Sequence, residues 1–212
     1  MPRNKEQNEK LKEEKKSLIL KEALKQFTAK GLFATRIKDI ANGAGIAQGL
    51  MYNYFKSKED IYADLVNNAL DKLNAAAEDL EALNAPAEEK IRFAVTQILQ
   101  TIRESDEFNQ TCRLISQASS SSAIPAQTQQ AIAQKRDTPY KTFSRIIKEG
   151  QDEGTVIGGD PEELAVLFWT AINGLAIYSA SRMDQPVIPS ADLMTKLFLV
   201  KAEKQEEEVC QR

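Results

Sequence analysis

The chain has 212 residues, of which 42% are hydrophobic, so it can bury a sizeable core as one domain or two small ones. It contains no histidine, which excludes Ser-His and Cys-His catalytic pairs and most transition-metal sites. Residues 1–60 hold 13 Lys/Arg against 8 Asp/Glu, and residues 61–212 hold 15 against 23, an asymmetry expected when only one end meets a polyanion.

The amino-terminal segment and the cysteines indicate the compartment. Residues 1–16, MPRNKEQNEKLKEEKK, lack the apolar stretch of a signal peptide, and no run approaches the ~18 apolar residues of a spanning helix. Cys112 and Cys210 are isolated and are expected to be free thiols. For Cys112, a small buried residue is a simpler interpretation than a thiol sensor. We therefore expect a cytoplasmic protein with no membrane contact, no metal site and no cofactor.

Helical spacing of apolar residues begins with the first predicted helix. The apolar side chains of residues 20–27 fall on one face, and Gly31 suits the left-handed position that ends the helix. Residues 1–16 extend this helix upstream as a solvated basic arm, whose lysines can reach a phosphate backbone. Thr35 is expected to cap a second helix, which the sequence NGAG at residues 42–45 ends.

The third predicted helix, GIAQGLMYNYF at residues 45–55, contains a glycine that costs about 1 kcal/mol relative to alanine. A helical wheel divides it into a core half and a polar half. The core half holds Ile46, Ala47, Leu50, Met51, Tyr54 and Phe55, and the polar half holds Gln48, Gly49, Tyr52 and Asn53. The polar half is fit to approach DNA closely, although it also suits a short solvated helix.

The rest of the chain is predicted to be helical as well. Ser57 is a good N-cap for a fourth helix that runs to about residue 80, and Asp160 for one that begins at Pro161. We place further helices at about 87–104, 107–118, 126–153, 161–182 and 190–205, with a serine-rich loop at 119–122. No useful strand alternation occurs, so the predicted fold class is all-α.

Two helices around a glycine-containing turn are typical of a helix-turn-helix, whose second helix enters the major groove. Residues 23–66, ALKQFTAKGLFATRIKDIANGAGIAQGLMYNYFKSKEDIYADLV, resemble the DNA-binding head of the tetracycline-repressor (TetR) family of bacterial regulators. The resemblance implies a homodimeric repressor with a three-helix head at residues 1–56, which binds a near-palindromic operator in double-stranded DNA. It further implies a helical body at residues 57–212 that dimerises and binds a small-molecule effector.

The resemblance also implies which residues contact DNA. The family's contact positions fall on Thr35, Gln48, Gly49, Leu50, Tyr52, Asn53 and Lys58. Thr35 and Lys58 would each anchor a phosphate at a helix start. Arg36 is a further phosphate candidate, and a solvated surface arginine is the alternative.

One part of the recognition helix departs from the family. Residues 47–50 are Ala-Gln-Gly-Leu where Ser-Lys-Gly-Thr is usual, so the operator sequence is left open. Gln48 can pair with adenine, whereas Leu50 either touches a thymine methyl or packs in the core.

The body carries an apolar helix and a possible cavity. Residues 160–180 are apolar almost all round, and by resemblance helices 161–182 and 190–205 pair with their symmetry mates. A core helix within one subunit is the alternative. Effector candidates are polar or aromatic residues on apolar faces, for which ordinary packing is also possible: Gln97, Thr101, Gln110, Arg113, Tyr140, Phe143, Trp169 and Asn173. Arg92 or Arg113 in the cavity would favour an anionic effector, and an aromatic, acid-poor cavity a neutral or cationic one.

The sequence thus favours a ligand-responsive DNA-binding repressor rather than an enzyme. Three alternatives remain: an activator, a regulator without an effector, and a helical scaffold or partner-binding protein. An enzyme would depend on carboxylates such as Glu104 and Asp106, but no phosphate loop, metal spacing or nucleophile-base pair accompanies them.

Overall fold

The computed structural model describes residues 3–119, 124–182 and 184–200. Within these residues it contains ten α-helices and one isolated β-bridge between Val156 and Leu199. The helices are α1 (Arg3–Ala34), α2 (Ile37–Gly43), α3 (Gln48–Met51), α4 (Lys58–Ala82), α5 (Ala87–Glu104), α6 (Asp106–Ser119), α7 (Ala126–Lys135), α8 (Thr138–Asp152), α9 (Pro161–Ala180) and α10 (Ala191–Thr195). The all-α fold class is confirmed.

The first hydrophobic core joins α1, α2, α3 and the amino-terminal half of α4. The Phe27 and Tyr62 rings meet edge to face, with their centroids 5.2 Å apart. Gly31 interrupts α1 at φ 78° and ψ 165°, so the helix breaks where predicted and one further turn follows. The core consists of Ile19, Ala23, Leu24, Phe27, Leu32, Ile40, Ala41, Met51, Phe55, Ile61, Tyr62, Val66 and Leu70, together with Leu114, Ala118, Ile124 and Ile132 from the body.

The second hydrophobic core fills the body between α5, α8, α9 and the segment after α10. The Phe143 and Phe168 rings stack with their centroids 3.9 Å apart, and Phe198 meets Phe168 edge to face at 5.8 Å. Helix α4 contributes Leu73 and Leu80 to this core, as well as its first half to the other. The division at residues 56 and 57 stays a prediction, but α4 clearly takes part in both cores.

Two predicted N-caps are confirmed. Ser57 Oγ accepts a hydrogen bond from Asp60 N at 3.1 Å, and Asp160 Oδ1 accepts from Glu162 N at 2.8 Å and Glu163 N at 3.1 Å. These bonds satisfy amide groups that have no partner in the first turn of a helix. The predicted cap of α2 is wrong by one residue, because α2 begins at Ile37 and Arg36 is its N-cap.

Two predicted helices of the body are wrong in extent. The segment predicted as one helix at 126–153 is two helices, because α7 ends at Lys135 and α8 begins at Thr138. Pro139 lies in the first turn of α8, a position that proline tolerates. The helix predicted at 190–205 ends at Thr195. Beyond it the chain turns back, Ile157 N donates to Phe198 O at 2.8 Å, and Val200 N donates to Thr155 O at 2.9 Å. This path buries Phe198 completely. Residues 120–122 and 201–205 of the predicted elements lie outside the described residues.

Helix α9 is only partly covered by its own chain. Its length and mean hydropathy would allow it to cross a membrane, and 28% of it is buried. Its inner face packs Phe168, Trp169 and Ile172 into the body core, whereas Val166 and Leu167 are each about half exposed. The expectation from the sequence that no segment is long and apolar enough to span a bilayer is therefore wrong for α9.

Candidate nucleic-acid interface

A short turn fixes the angle between α2 and α3. Gly45 adopts φ 66°, a left-handed conformation that favours glycine. On either side of it, Ala44 N donates to Ile40 O and Ile46 N donates to Ala41 O, both at 2.9 Å. Because Ile40 and Ala41 are fully buried, this turn connects α3 to the first hydrophobic core.

Helix α3 is shorter than the sequence predicts. Only Gln48–Met51 is helical, and a turn follows in which Tyr54 N and Phe55 N both donate to Met51 O, at 2.9 and 3.0 Å. Met51 is fully buried and Phe55 nearly so, which anchors this segment on α1, α2 and α4. One helical turn and a tight turn therefore replace the predicted 11-residue helix.

The outer surface of this segment carries most of the predicted base-reading residues. Gln48, Gly49 and Asn53 are exposed, and Tyr52 is 55% exposed. Leu50 is 47% exposed, so its assignment to the core half of the helix is wrong. Ala47, placed in the same half, is exposed as well, so the boundary between the core half and the polar half of the wheel was drawn at the wrong residues.

Nothing in the described part of the chain requires a glycine at position 49. Its φ is not positive, and a Cβ built on its backbone would meet no atom within 4 Å. Since glycine is unfavourable in a helix, the absence of a side chain at this position is not explained by the packing or backbone of the head.

Two predicted phosphate anchors have internal roles instead. Thr35 is fully buried, and its hydroxyl donates to Gly31 O at 2.8 Å and Gln26 O at 3.2 Å. Lys58 Nζ donates to the carbonyl oxygens of Leu32, Phe33 and Thr35 at 2.8, 3.0 and 2.9 Å. An ammonium group has three protons to donate, so Lys58 holds the end of α1 to α4. The expectation of phosphate contacts from these two side chains has to be revised.

Three other cations of the helix-turn-helix segment are exposed. Arg36, Lys38 and Lys56 are exposed, and none forms an ion pair in the described residues. Sequence reasoning named Arg36 but missed Lys38 and Lys56. Lys38 lies in the first turn of α2 and Lys56 follows α3, and this place in the sequence was the available signal, because charged residues near a recognition element are phosphate candidates.

A large cavity lies between the head and the body. Its volume is about 860 Å³, and α1, α4, α5, α6, α8 and α9 all contribute to its wall. This volume lies within the range of pockets that hold small organic ligands. The cavity therefore reaches from the helix that begins the head to the aromatic core of the body.

Five of the eight predicted effector residues line this cavity: Gln97, Thr101, Phe143, Trp169 and Asn173. Trp169 Nε1 donates to Pro139 O at 3.1 Å, which leaves the indole with only its ring to offer a ligand. Gln110, Arg113 and Tyr140 do not line it, so the effector contacts predicted for these three residues stay predictions that the cavity wall does not support. Burial raises the pKa of the Tyr140 hydroxyl, while a hydrogen bond with Asn173 lowers it.

Cys112 also lines the cavity. Burial raises the pKa of its thiol to about 12. The thiolate is the reactive form of cysteine, and here it is disfavoured at neutral pH. The interpretation of Cys112 as a small buried residue agrees with this environment.

Comparison with known proteins agrees with the geometry of the head. The sequence model described as "Bacterial regulatory proteins, tetR family" matches residues 19–65, which run from α1 through the turn and α3 into α4. The HTH-type transcriptional repressor KstR2 of Mycobacterium tuberculosis is 42% identical over 62 residues, which is 29% of this chain and 31% of that protein. This chain belongs to the TetR family.

The similarity of this TetR-family chain to other members extends beyond the head. The HTH-type transcriptional regulator YhgD of Bacillus subtilis is 27% identical over 151 residues, covering 70% of this chain and 75% of that one. The crystal structure of the TetR-family regulator PfmR of Thermus thermophilus has a TM-score of 0.64 at 26% identity, over 84% of this chain and 93% of that one. The TetR-family chain is thus a DNA-binding transcriptional regulator with a helix-turn-helix head and a helical body.

Proposed function

We propose that this TetR-family protein is a cytoplasmic homodimeric repressor. In this proposal it binds a near-palindromic operator in double-stranded DNA and leaves it when a small-molecule effector occupies the cavity. The observation that carries the proposal is the exposed face of α3, where hydrogen-bonding side chains surround a glycine that nothing inside the chain requires. Close approach of a DNA groove to the helix backbone gives that glycine a reason.

Each exposed side chain on this face has a matching group on DNA. The Gln48 amide can donate to and accept from adenine N6 and N7, and Leu50 can contact a thymine methyl group. Tyr52 and Asn53 can donate to phosphates, which fixes the register of the helix in the groove. Arg36, Lys38 and Lys56, which are exposed in the same helix-turn-helix segment, supply positive charge for phosphate contacts.

The exposed side of α9 supports a homodimer. Val166, Leu167 and Tyr178 are exposed on it, and Leu193 and Leu197 of the following segment are exposed as well. A Cβ at Gly174 would meet no atom within 4 Å, so a second helix can come close there. Two heads joined in this way can read half-sites roughly 34 Å apart, whereas one single-turn helix reads too little DNA for tight binding.

The position of the cavity supports control by a ligand. Its wall includes Ser17, Leu20 and Leu24 of α1 and Leu65 and Ala69 of α4, which are the helices that hold the head. An occupant therefore contacts the head directly. If the ligand binds one of two positions of the head more tightly than the other, it shifts the equilibrium towards that position by the difference in binding free energy. Repression rather than activation is supported by the name of KstR2, which is called a repressor.

DNA selected from a random pool provides the test of sequence-specific binding. We expect a near-palindromic consensus, and affinity for it that falls roughly 10³-fold or more between 50 and 200 mM salt. A helical scaffold protein would select no consensus and would show no such salt dependence.

The substitution Gln48→Ala tests the base contact. It should cost about 1–3 kcal/mol of discrimination at one base pair of each half-site. Affinity for random DNA should change little, because phosphate contacts dominate it. Fluorescence anisotropy with single-base operator variants measures both quantities, and an unchanged base preference would contradict the role of Gln48.

A further inference from the structure

We propose that the cavity takes an uncharged, mainly apolar effector whose oxygen atoms are recognised by neutral amide and hydroxyl groups. This inference rests on the ligand response proposed above. It is argued from where the charged and the neutral groups of the cavity wall lie.

Charged side chains in the wall come from one side of the cavity. They are Glu13, Lys16 and Lys21 of α1, Lys72 of α4 and Glu107 of α6. Both signs are present, and Lys16 Nζ already lies 3.0 Å from Asp64 Oδ2. This side therefore offers no excess of one charge that would select an ion.

The other side of the wall carries no charge at all. The residues that α5, α8 and α9 contribute are apolar, aromatic or neutral polar. Among the residues that the structure describes, no arginine lines the cavity, and Arg92 is instead paired with Glu88 on α5, Nη2 to Oε1 at 2.7 Å. A charged ligand group placed here would lose its hydration and meet no opposite charge, which is strongly unfavourable.

Neutral polar groups on this side can bind a ligand oxygen. Gln97 has an exposed side-chain amide, and the Thr101 hydroxyl donates to Gln97 O at 2.8 Å but can still accept a bond. Asn173 shares a hydrogen bond with the Tyr140 hydroxyl and retains further amide capacity. These groups suit an alcohol, ketone, ester or amide. The Phe168–Trp169 wall suits the apolar part of the ligand.

The chain contains a built-in reporter for this site. Trp169 is the single tryptophan of the sequence, and it lines the cavity. Its fluorescence therefore reports occupancy directly. Three probes share the rigid adamantane cage, have nearly equal size and do not absorb where tryptophan absorbs or emits. They carry a neutral, an anionic and a cationic group: 1-adamantanemethanol, 1-adamantanecarboxylate and 1-adamantanemethylammonium.

Titration of the full-length protein with each probe tests the inference. We expect the alcohol to change the Trp169 emission with a dissociation constant roughly tenfold or more below those of both ions, because the ions lose a larger hydration free energy and meet no opposite charge on this side. Equal or tighter binding of the carboxylate or the ammonium probe would overturn the inference. An unchanged emission with all three probes would overturn it as well.

A pair of substitutions on α5 checks where the alcohol binds. Gln97→Phe places a ring in the cavity and should weaken its binding about tenfold. Gln100→Phe is the matched control, since Gln100 bonds to Glu104 at 3.0 Å on the same helix and does not line the cavity. Equal affinity of the two variants would overturn the location of the site.

The assay separates this inference from the proposed repressor function, because it contains no DNA. A neutral probe that binds in the cavity but leaves DNA affinity unchanged supports the ligand class and contradicts the ligand response. If a charged probe releases the DNA and the alcohol does not bind, the ligand response is supported and the ligand class is overturned.

Discussion

Gly45 and Gly49 lie four residues apart and serve opposite purposes. Gly45 has φ 66°, so the backbone itself requires glycine, whereas the surroundings of Gly49 would accept a side chain. The sequence predicts a glycine turn at residues 42–45 and a helical glycine at 49. A Cβ built at either residue would meet no atom within 4 Å, so only the backbone angle separates the two roles.

Substitution by alanine should therefore have opposite effects at the two positions. Gly49→Ala should raise the free energy of unfolding by about 0.5–1 kcal/mol, since alanine is the better helix former. Gly45→Ala should lower it by about 1–2 kcal/mol, because the left-handed conformation is strained for alanine. Chemical denaturation measures both changes.

Operator binding by the stable Gly49→Ala variant then tests the DNA interface. We expect weaker binding, because a methyl group stands between the helix and the groove. Wild-type operator affinity in this variant would mean that DNA does not approach the backbone at residue 49.

Lys58 was expected to bind phosphate, but it spans α1 and α4 instead. Lys58→Met should lower the free energy of unfolding by about 1–3 kcal/mol, since three carbonyl groups lose a charged donor. The slope of log affinity against log salt should stay unchanged. Lys56→Met is the control and should leave stability unchanged but reduce that slope by about one. A reduced slope for Lys58→Met would restore its phosphate contact.

At the scale of helices, the sequence predicts element type well and element length less well. The apolar spacing of α1, α4, α5 and α9 and the caps at Ser57 and Asp160 were sufficient to place these helices. The lengths of α3 and α10 were not predictable from periodicity. Phe55 and Phe198 follow the ends of these helices and are buried by contacts with distant elements, which helical periodicity does not indicate.

The candidate site shows the same limit. Exposure of Gln48, Tyr52 and Asn53 was predictable from the polar side of the wheel. The inward roles of Thr35 and Lys58 were not, because their partners lie on α1 and in the chain that follows it. Three of the predicted effector residues missed the cavity, since helical spacing alone does not say which neighbour a helix faces.

The exposed face of α9 carries the prediction for assembly. Leu167→Glu should convert the dimer to a monomer, because a carboxylate would be buried in an apolar helix pair. Leu83→Glu is the matched control, since Leu83 is also an exposed leucine but follows α4. Analytical ultracentrifugation distinguishes the two states. A dimeric Leu167→Glu protein would remove α9 from the interface.

Over the whole molecule, the head and the body are closely joined. Leu114 and Ala118 of α6 pack in the head core, and α4 runs through both cores. Two ion pairs tie α4 to the body, with Lys135 Nζ 2.7 Å from Asp71 Oδ1 and Arg145 Nη2 2.7 Å from Glu81 Oε2. A ligand that moves α4 or α1 must therefore move the head, which is the coupling that regulation requires.

The central claim is that the exposed face of α3 binds operator DNA, and Tyr52→Ala tests it most directly. Tyr52 is exposed and lies outside both cores, so the variant should fold and dimerise normally, as circular dichroism and ultracentrifugation would report. We predict that its operator affinity, measured by fluorescence anisotropy at fixed salt, falls roughly tenfold or more through the loss of a phosphate contact and its positioning effect. A folded, dimeric Tyr52→Ala protein that binds the operator as tightly as the wild type would contradict the account.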